Sequence, residues 1–398
     1  MQDEPVRVEQ QRVLLDRQRL SELRTRLARP RLPAALGDGE DQGVPRTWLG
    51  ELLADWRAFD TDVLQDRLDA MTHLQARVGR HRVHAVHVRG QGPDPVPLLA
   101  VHGWPGSFLE HLPLLPLLGD PATGTPSTVL PSLPGFGFSG PPGPHGLTGR
   151  AVAGLLHRLM VEGLGHPRYV AHGSDLGAGV AGWLARDNPE QVAGIHLATP
   201  GLAAAADPRT RAEERYAAAS AAWSVQEGAY AHLHATKPRT LGAALEDSPV
   251  GLAAWIGEKV RSWSSVRVDG EPAFDRDLLL STLTLYWVTG TVTTSLLPYQ
   301  AAQRQPAGRL PVDDPSTVPT AVSVFGGERV PFPKPPRELA ARYYRLVAWQ
   351  EHPVGGHFPA VAEPELLAHT LRSTLLPLWR GPSPASPAEP VPGTLPPP

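Results

Sequence analysis

Residues 172–179, with the sequence HGSDLGAG, place a serine next to an aspartate within a run of glycines. Either side chain could act as a nucleophile, but a carboxylate is already ionised near neutral pH, whereas a hydroxyl needs a base to activate it. A nucleophile carried on a sharp strand-to-helix turn needs small residues two positions before and two positions after it. Centring the turn on Asp175 puts glycine at both positions, whereas centring it on Ser174 puts histidine and leucine there. The spacing therefore favours Asp175, with a simple glycine-rich joint as the alternative.

A second motif, HGWPGS at 102–107, directly follows the apolar run PLLAV. A loop in this position typically supplies one backbone amide to an oxyanion, and the residue after the nucleophile supplies the other. We therefore predict an oxyanion hole formed by the backbone N–H groups of Trp104 and Leu176.

A general base is expected beyond the last strand, where the chain reads VGGHFPA and His357 follows two glycines. The chain order nucleophile, acid, histidine is that of α/β-hydrolases. Glu328 ends the apolar run VFGGE and is the preferred acid, because sites lie at the carboxyl ends of parallel strands. Asp313 and Asp314 precede that run and would lie at its wrong end, and Glu351 is a further alternative.

The elements that must position these residues alternate along the chain. Helical patterns separate apolar runs, which predicts an α/β protein with a doubly wound, mostly parallel sheet. Between about 202 and 316 the pattern becomes helical and aromatic, which predicts a helical insertion late in the sheet. The predicted strands lie within residues 74–78, 81–88, 97–103, 127–135, 168–173, 192–200, 320–327 and 345–352.

The N-terminal part of the chain has a different pattern. Residues 7–29 place leucines among many arginines at helical spacing, and a second polar helix is predicted from about Trp48 to Leu68. Together they predict an N-terminal helical segment whose apolar face packs against the rest of the protein.

The composition excludes several classes of function. The 40 acidic and 37 basic residues nearly balance, so nucleic acid is not an expected partner. The absence of cysteine excludes disulfides, thiolate metal sites and a cysteine nucleophile. No apolar run approaches the roughly 18 residues of a membrane span, and MQDEPVRVEQ lacks the apolar core of a signal peptide, so a cytoplasmic location without membrane contact is the default expectation.

Six stretches, in order, resemble the microsomal-type epoxide hydrolases over residues 45 to about 380. They are HGWPGSF (102–108), PSLPGFGFS (131–139), YVAHGSDLGA (169–178), DSPVGLAAWIGEK (247–259), LYWVTGT (285–291) and GGHFPAVAEPELL (355–367). The resemblance implies an α/β-hydrolase fold preceded by an epoxide-hydrolase segment, in a soluble, bacterial-style member of the family. We divide the chain into an N-terminal helical segment (1–70), a first core part (71–201), a helical lid (202–316), a second core part (317–380) and a disordered proline-rich tail (381–398).

Residue by residue, the resemblance implies Asp175 as nucleophile, Glu328 as acid and His357 as base. It also implies two lid tyrosines that polarise the epoxide, Tyr230 in GAYAHLHATKP and Tyr299 in TTSLLPYQ. The implied reaction opens an epoxide with water to a vicinal diol through an alkyl-enzyme ester, and it needs no cofactor or metal.

One departure bears on the alternatives, because the family commonly has tryptophan where this chain has Leu176. A haloalkane dehalogenase shares the aspartate nucleophile but needs side-chain N–H donors for the halide, which Leu176 lacks. A catalytically inactive binding protein on the same scaffold is the other alternative. Four tryptophans of the predicted lid suggest room for apolar or aromatic groups: Trp223, Trp255, Trp263 and Trp287. The sequence does not identify the physiological epoxide, and it leaves the assembly open, including a homodimer.

Overall fold

The computed structural model describes residues 4–34, 42–119, 124–305 and 308–380. Its strands are β1 (Arg7–Gln10), β2 (His73–Val78), β3 (His81–Val88), β4 (Pro97–Val101), β5 (Ser127–Pro131), β6 (Tyr169–Ser174), β7 (Val192–Ala198), β8 (Ser316–Gly326) and β9 (Tyr344–Gly355). They form one sheet in the order β1-β2-β3-β5-β4-β6-β7-β8-β9. In this spatial order, the three neighbouring pairs from β1 to β5 are antiparallel, and the five from β5 through β4 to β9 are parallel. The prediction of a mostly parallel sheet is confirmed.

The helices fall into three groups. The N-terminal group is α1 (Arg17–Leu27), α2 (Arg46–Ala58) and α3 (Thr61–Asp69), and the insertion between β7 and β8 holds α6 (Arg211–Gln226), α7 (Ala229–Thr236), α8 (Pro238–Asp247), α9 (Pro249–Trp263), α10 (Arg276–Thr289), α11 (Val292–Ser295) and α12 (Leu297–Arg304). Those around the sheet are α4 (Gly149–Arg158), α5 (Leu176–Asp187), α13 (Arg337–Ala341), α14 (Pro359–Ala362) and α15 (Pro364–Thr370). Of the segment boundaries drawn from the sequence, those of residues 381–398 lie outside the described residues, and the division as a whole stays a prediction.

The centre of the sheet is buried on both faces because its strands are continuous apolar runs. Every residue of β4, β5, β6 and β7 is buried. Side chains of β4 contribute to two hydrophobic clusters, since Leu98 belongs to the cluster with Leu367 of α15, and Leu99 to the cluster with Leu184 of α5. Helices thus cover both faces, as the doubly wound prediction requires.

The prediction of a single helix over residues 7–29 is wrong at its beginning. Residues 7–10 form the edge strand β1, paired antiparallel with β2, and α1 begins only after Asp16, whose carboxylate caps the helix by accepting from the amides of Gln18 and Arg19. The alternation of RVEQ is that of a strand, and Val8 packs as part of the core.

The predicted helix from Trp48 to Leu68 is two helices. The chain leaves the helical conformation at Phe59, where ψ is 127°, and Asp60 then caps α3 by accepting from the Asp62 amide. The apolar faces of this region pack against the insertion. Trp56 Nε1 donates to Thr284 Oγ1 at 2.9 Å, and Trp287 Nε1 donates to the Arg19 carbonyl at 3.0 Å.

The turn between β6 and α5 has the crowded geometry that the glycine spacing predicts. Asp175 adopts φ 50° and ψ −123°, a conformation that costs energy in a residue with a side chain. A Cβ on Gly173 would lie 2.1 Å from the Gly177 carbonyl oxygen, and one on Gly177 would lie 2.0 Å from the Val101 carbonyl oxygen. Glycine at both positions therefore lets the turn pass close to β4.

Helix length and hydropathy bear on membrane contact. In the described parts of the chain, no helix is both long enough and apolar enough to cross a bilayer.

This packing predicts opposite effects for two glycines of α5. Gly177→Ala forces a methyl group onto the backbone of β4 and should lower the free energy of unfolding by about 1–3 kcal/mol. Gly179→Ala has no heavy atom within 4 Å of the added Cβ and should be neutral or raise that free energy by up to about 1 kcal/mol, because alanine favours helix. Chemical denaturation of both variants measures the difference, and equal effects would contradict the assigned turn.

Candidate active site

The Asp175 carboxylate lies at the end of β6, where the turn holds it against backbone amides. The Trp104 N–H donates to its Oδ1 at 2.8 Å, the Leu176 amide also interacts with the carboxylate, and His357 Nε2 lies 3.3 Å from its Oδ2. Burial raises the pKa of this carboxyl, but the His357 ring and the two amides outweigh burial, so the pKa lies below its ordinary value. The group is therefore an ionised carboxylate at neutral pH.

The loop after β4 needs glycine to bring the Trp104 amide this close. A Cβ on Gly103 would lie 2.3 Å from both Cβ and Oδ1 of Asp175. Both predicted oxyanion-hole residues thus have their backbone amides at the carboxylate.

His357 reaches the carboxylate from the other side, beyond the end of β9. The two preceding glycines adopt positive φ, and the His357 N–H donates to the Trp263 carbonyl at 2.8 Å. The imidazole packs between Trp263 and Phe358, at ring-centroid distances of 4.9 and 5.0 Å. These contacts hold the ring over Asp175.

Glu328 follows β8 as predicted, but its carboxylate has a different partner. The buried side chain forms an ion pair with Lys334. Within the described chain, no hydrogen bond or ion pair joins Glu328 to His357. The backbones do meet, because the Gly356 N–H donates to the Gly326 carbonyl at 2.9 Å.

The three alternative acids are held elsewhere. Asp313 pairs with Arg342 and Arg209, Asp314 pairs with Arg186, and exposed Glu351 accepts a hydrogen bond from the Trp349 indole. Glu328 is thus the buried acid among the four candidates, on the segment that contacts the His357 loop.

The two tyrosines converge from different lid helices. Tyr230 of α7 and Tyr299 of α12 have ring centroids 6.0 Å apart and hydrogen-bond to each other, and both rings pack against Trp104. Burial, reinforced by the Asp175 charge, raises the pKa of both phenols above the ordinary value. Both hydroxyls are therefore protonated at neutral pH and can donate hydrogen bonds toward the site.

Two further lid residues at the tyrosines escaped the sequence reasoning. His234 lies edge-on to Tyr299 at 4.8 Å and accepts from the Trp255 indole, while the Lys259 ammonium lies 4.8 Å from the Tyr230 ring centroid. The sequence could have indicated His234, because it lies four residues, or one helical turn, after Tyr230 and therefore on the same face of the helix. Burial lowers the pKa of His234 to about 3, so its ring is uncharged.

One cavity of about 610 Å³ is lined by Asp175, His357, Tyr230 and Tyr299. Its other walls are mainly apolar and include Leu133, Phe136, Val152, Trp183, Trp223 and Phe332. Of the four lid tryptophans singled out in the sequence, Trp223 lines this cavity, whereas the Trp255 and Trp287 indoles donate to other parts of the protein.

Comparisons with known proteins identify the family of the chain. Residues 8–111 match the model of the epoxide hydrolase N terminus, and residues 96–259 match that of the alpha/beta hydrolase fold. Epoxide hydrolase 1 of Oryctolagus cuniculus is 31% identical, over 88% of this chain and 85% of its own length. The structure of juvenile hormone epoxide hydrolase from the silkworm Bombyx mori is similar, with 27% identity, a TM-score of 0.79 and coverage of 94% of each chain. The structure of Aspergillus niger epoxide hydrolase is also similar, with 26% identity, a TM-score of 0.81 and coverage of 95% of this chain and 97% of that one. The chain therefore belongs to the epoxide hydrolase family.

Proposed function

We propose that the protein hydrolyses an epoxide to a vicinal diol through a covalent ester on Asp175. The observation that carries the proposal is the single cavity in which an ionised carboxylate faces His357 and two protonated tyrosines. Tyrosine hydroxyls suit the oxygen that leaves a ring carbon, because they can hydrogen-bond it and supply a proton.

The first step alkylates the enzyme. Asp175 Oδ1 is held by the Trp104 amide, which leaves Oδ2 to attack a ring carbon. The carbon–oxygen bond of the ring breaks, its electron pair goes to the epoxide oxygen, and that oxygen takes a proton from one of the hydroxyls of Tyr230 and Tyr299 that hydrogen-bond it, which leaves a tyrosinate. The product is a hydroxyalkyl ester of Asp175.

The second step hydrolyses the ester. His357 removes a proton from a water molecule, which attacks the ester carbonyl, and the charge develops on the oxygen beside the Trp104 and Leu176 amides. Collapse of this intermediate breaks the ester bond between the acyl carbon and the alkyl oxygen, and that oxygen takes the proton from His357 to complete the diol. The acid proton left on Asp175 returns to the tyrosinate, which restores the carboxylate and the tyrosine. Glu328 remains our choice for the acid that stabilises protonated His357, although its carboxylate pairs with Lys334 in the structure.

The cavity walls support apolar or aromatic epoxides as substrates. A haloalkane dehalogenase is the main alternative, but the Leu176 side chain offers a halide no donor, and paired tyrosine hydroxyls suit an alkoxide. Release of halide from 1-haloalkanes without epoxide turnover would favour that alternative.

Replacing the base should trap the ester. His357→Gln is expected to react once with a styrene-oxide-type epoxide and to gain the mass of one epoxide, because the water attack then lacks its base. Peptide mass spectrometry should locate the added mass on Asp175, and the double variant with Asp175→Asn should gain none. An adduct on another residue, or full turnover by His357→Gln, would contradict the mechanism.

The tyrosines should act mainly in the first step. Tyr230→Phe and Tyr299→Phe are each expected to slow single-turnover alkylation by roughly 10²-fold, with a smaller effect on ester hydrolysis. Tyr343→Phe is the matched control, because Tyr343 lines the same cavity while its hydroxyl donates to the Ala203 carbonyl at 3.1 Å. If Tyr343→Phe slowed alkylation as much as the other two variants, the result would contradict a specific role of Tyr230 and Tyr299 in opening the epoxide.

Glu328 should affect the second step. Glu328→Gln is expected to slow ester hydrolysis by roughly 10²-fold and to leave alkylation nearly unchanged, because it removes the negative charge that favours protonated His357. Glu351→Gln, which changes the exposed alternative acid, should leave both rates at the wild-type level. Stopped-flow kinetics can measure alkylation and ester hydrolysis as separate phases in both variants. Slower ester hydrolysis in Glu351→Gln, with a wild-type rate in Glu328→Gln, would assign the role to Glu351.

A further inference from the structure

A second carboxyl group lies next to the nucleophile, on the short helix Phe108–Leu117 that follows the oxyanion loop. Glu110 is 8% exposed, and the Ser174 hydroxyl donates to its Oε1 at 3.2 Å. The Gly103 backbone also interacts with the carboxyl, and a Cβ on Gly106 would lie 1.9 Å from its Oε2. The carboxyl is therefore enclosed between the loop of Trp104 and the turn of Asp175.

This position is not the one that the local sequence favours. Ser107 and Glu110 have the spacing of a capping box, in which the glutamate side chain accepts from the backbone N–H of the N-cap residue, here Ser107. Ser107 does cap the helix by accepting from the Leu109 amide at 3.3 Å, but the Glu110 carboxyl instead contacts Ser174 on a different segment. A long-range contact has replaced the local one.

The groups that face Glu110 leave it without a positive partner among the described residues. His111 Nδ1 lies 3.9 Å away, and burial holds the pKa of His111 well below its usual range, so that ring is uncharged. Burial likewise lowers the pKa of His102 to about 4, and Tyr286 of α10, protonated because burial raises its pKa, donates to the Gly106 carbonyl at 3.2 Å. The charge that Glu110 faces is the negative charge of Asp175.

Glu110 is consequently uncharged at neutral pH. Burial first, and the Asp175 charge second, raise its pKa to about 8. An uncharged carboxyl has a donor and acceptors, and the Ser174 hydroxyl can rotate to match either role. The contact is therefore kept without a second negative charge beside the nucleophile.

We propose that Glu110 is a positioning residue whose carboxyl joins the loop that carries the Trp104 amide to the turn that carries Asp175. The two oxyanion donors lie on these two segments, so the link sets their distance from each other. Ionised Glu110 would oppose the negative charge that forms during ester hydrolysis. The inference rests on the ester mechanism proposed above.

The test compares the pH dependence of ester hydrolysis in two variants. Wild-type hydrolysis should fall by about tenfold at alkaline pH as Glu110 ionises. With Asp175 esterified, this fall should come at or below pH 8, because one of the two causes of the raised pKa is gone. Glu110→Gln keeps an uncharged donor and acceptor, so its rate should match wild type within about threefold at pH 7 and show no alkaline fall. Glu110→Ala should be slower by roughly 10²-fold, because the amides lose their alignment.

A matched control separates this role from general stability. Glu213 is also buried but pairs with Arg342, so Glu213→Gln should lower stability and leave the pH profile unchanged. An alkaline fall that persists in Glu110→Gln would overturn the proposal, and that variant decides the question even where Glu110→Ala fails to fold.

Infrared spectroscopy distinguishes this proposal from the ester mechanism. Without any epoxide, the wild-type protein should show the carbonyl band of a neutral carboxylic acid that disappears as the pH rises through about 8, and Glu110→Gln should lack it. Absence of that band in the wild type refutes the uncharged Glu110. Absence of an Asp175 adduct in His357→Gln refutes the ester mechanism instead.

Discussion

The hydrogen bond from the Trp104 amide to the Asp175 carboxylate is the contact on which the site depends. A buried carboxylate is costly unless the protein replaces the water it has lost, and here two backbone amides and an imidazole do so. Backbone can approach a carboxylate this closely only where no Cβ intervenes. The glycines at 103, 173 and 177 are therefore as much a part of the site as Asp175 itself.

The lid closes this charged site from the opposite side. The Trp104 indole stacks on Tyr230 at 5.5 Å and meets Tyr299 edge-on at 6.1 Å, so the residue that provides the amide also supports the tyrosines. The outer side of the lid is covered in turn by the N-terminal helices, through contacts such as Trp56 with Thr284. Enclosure by itself disfavours the charged carboxylate, but it also strengthens the interactions of Asp175 with His357 and the two amides, and these keep the carboxylate ionised.

The sequence predicted the central architecture well and the N-terminal segment less well. The hairpin β2–β3 and the buried strands are confirmed, because long apolar or alternating runs carry a strong signal. Strand β1 has only four residues, and most of its side chains are exposed, so its strand pattern is weak. The helical spacing of the leucines that follow it therefore dominated the prediction. The break at Phe59 was missed because the apolar spacing continues through it, although Asp60 is a typical capping residue.

The sequence by itself determined which residue of HGSDLGAG occupies the tip of the turn, because the steric requirement is local and glycine meets it in one register only. It also placed His357 by chain order, whereas Tyr230 and Tyr299 came from the family resemblance and not from spacing. Only the tertiary structure decided that Glu328 pairs with Lys334 and that Glu110 leaves its helix cap to meet Ser174. These partners are distant in the chain or compete with local ones, and burial together with the net charge around each carboxyl selects between them.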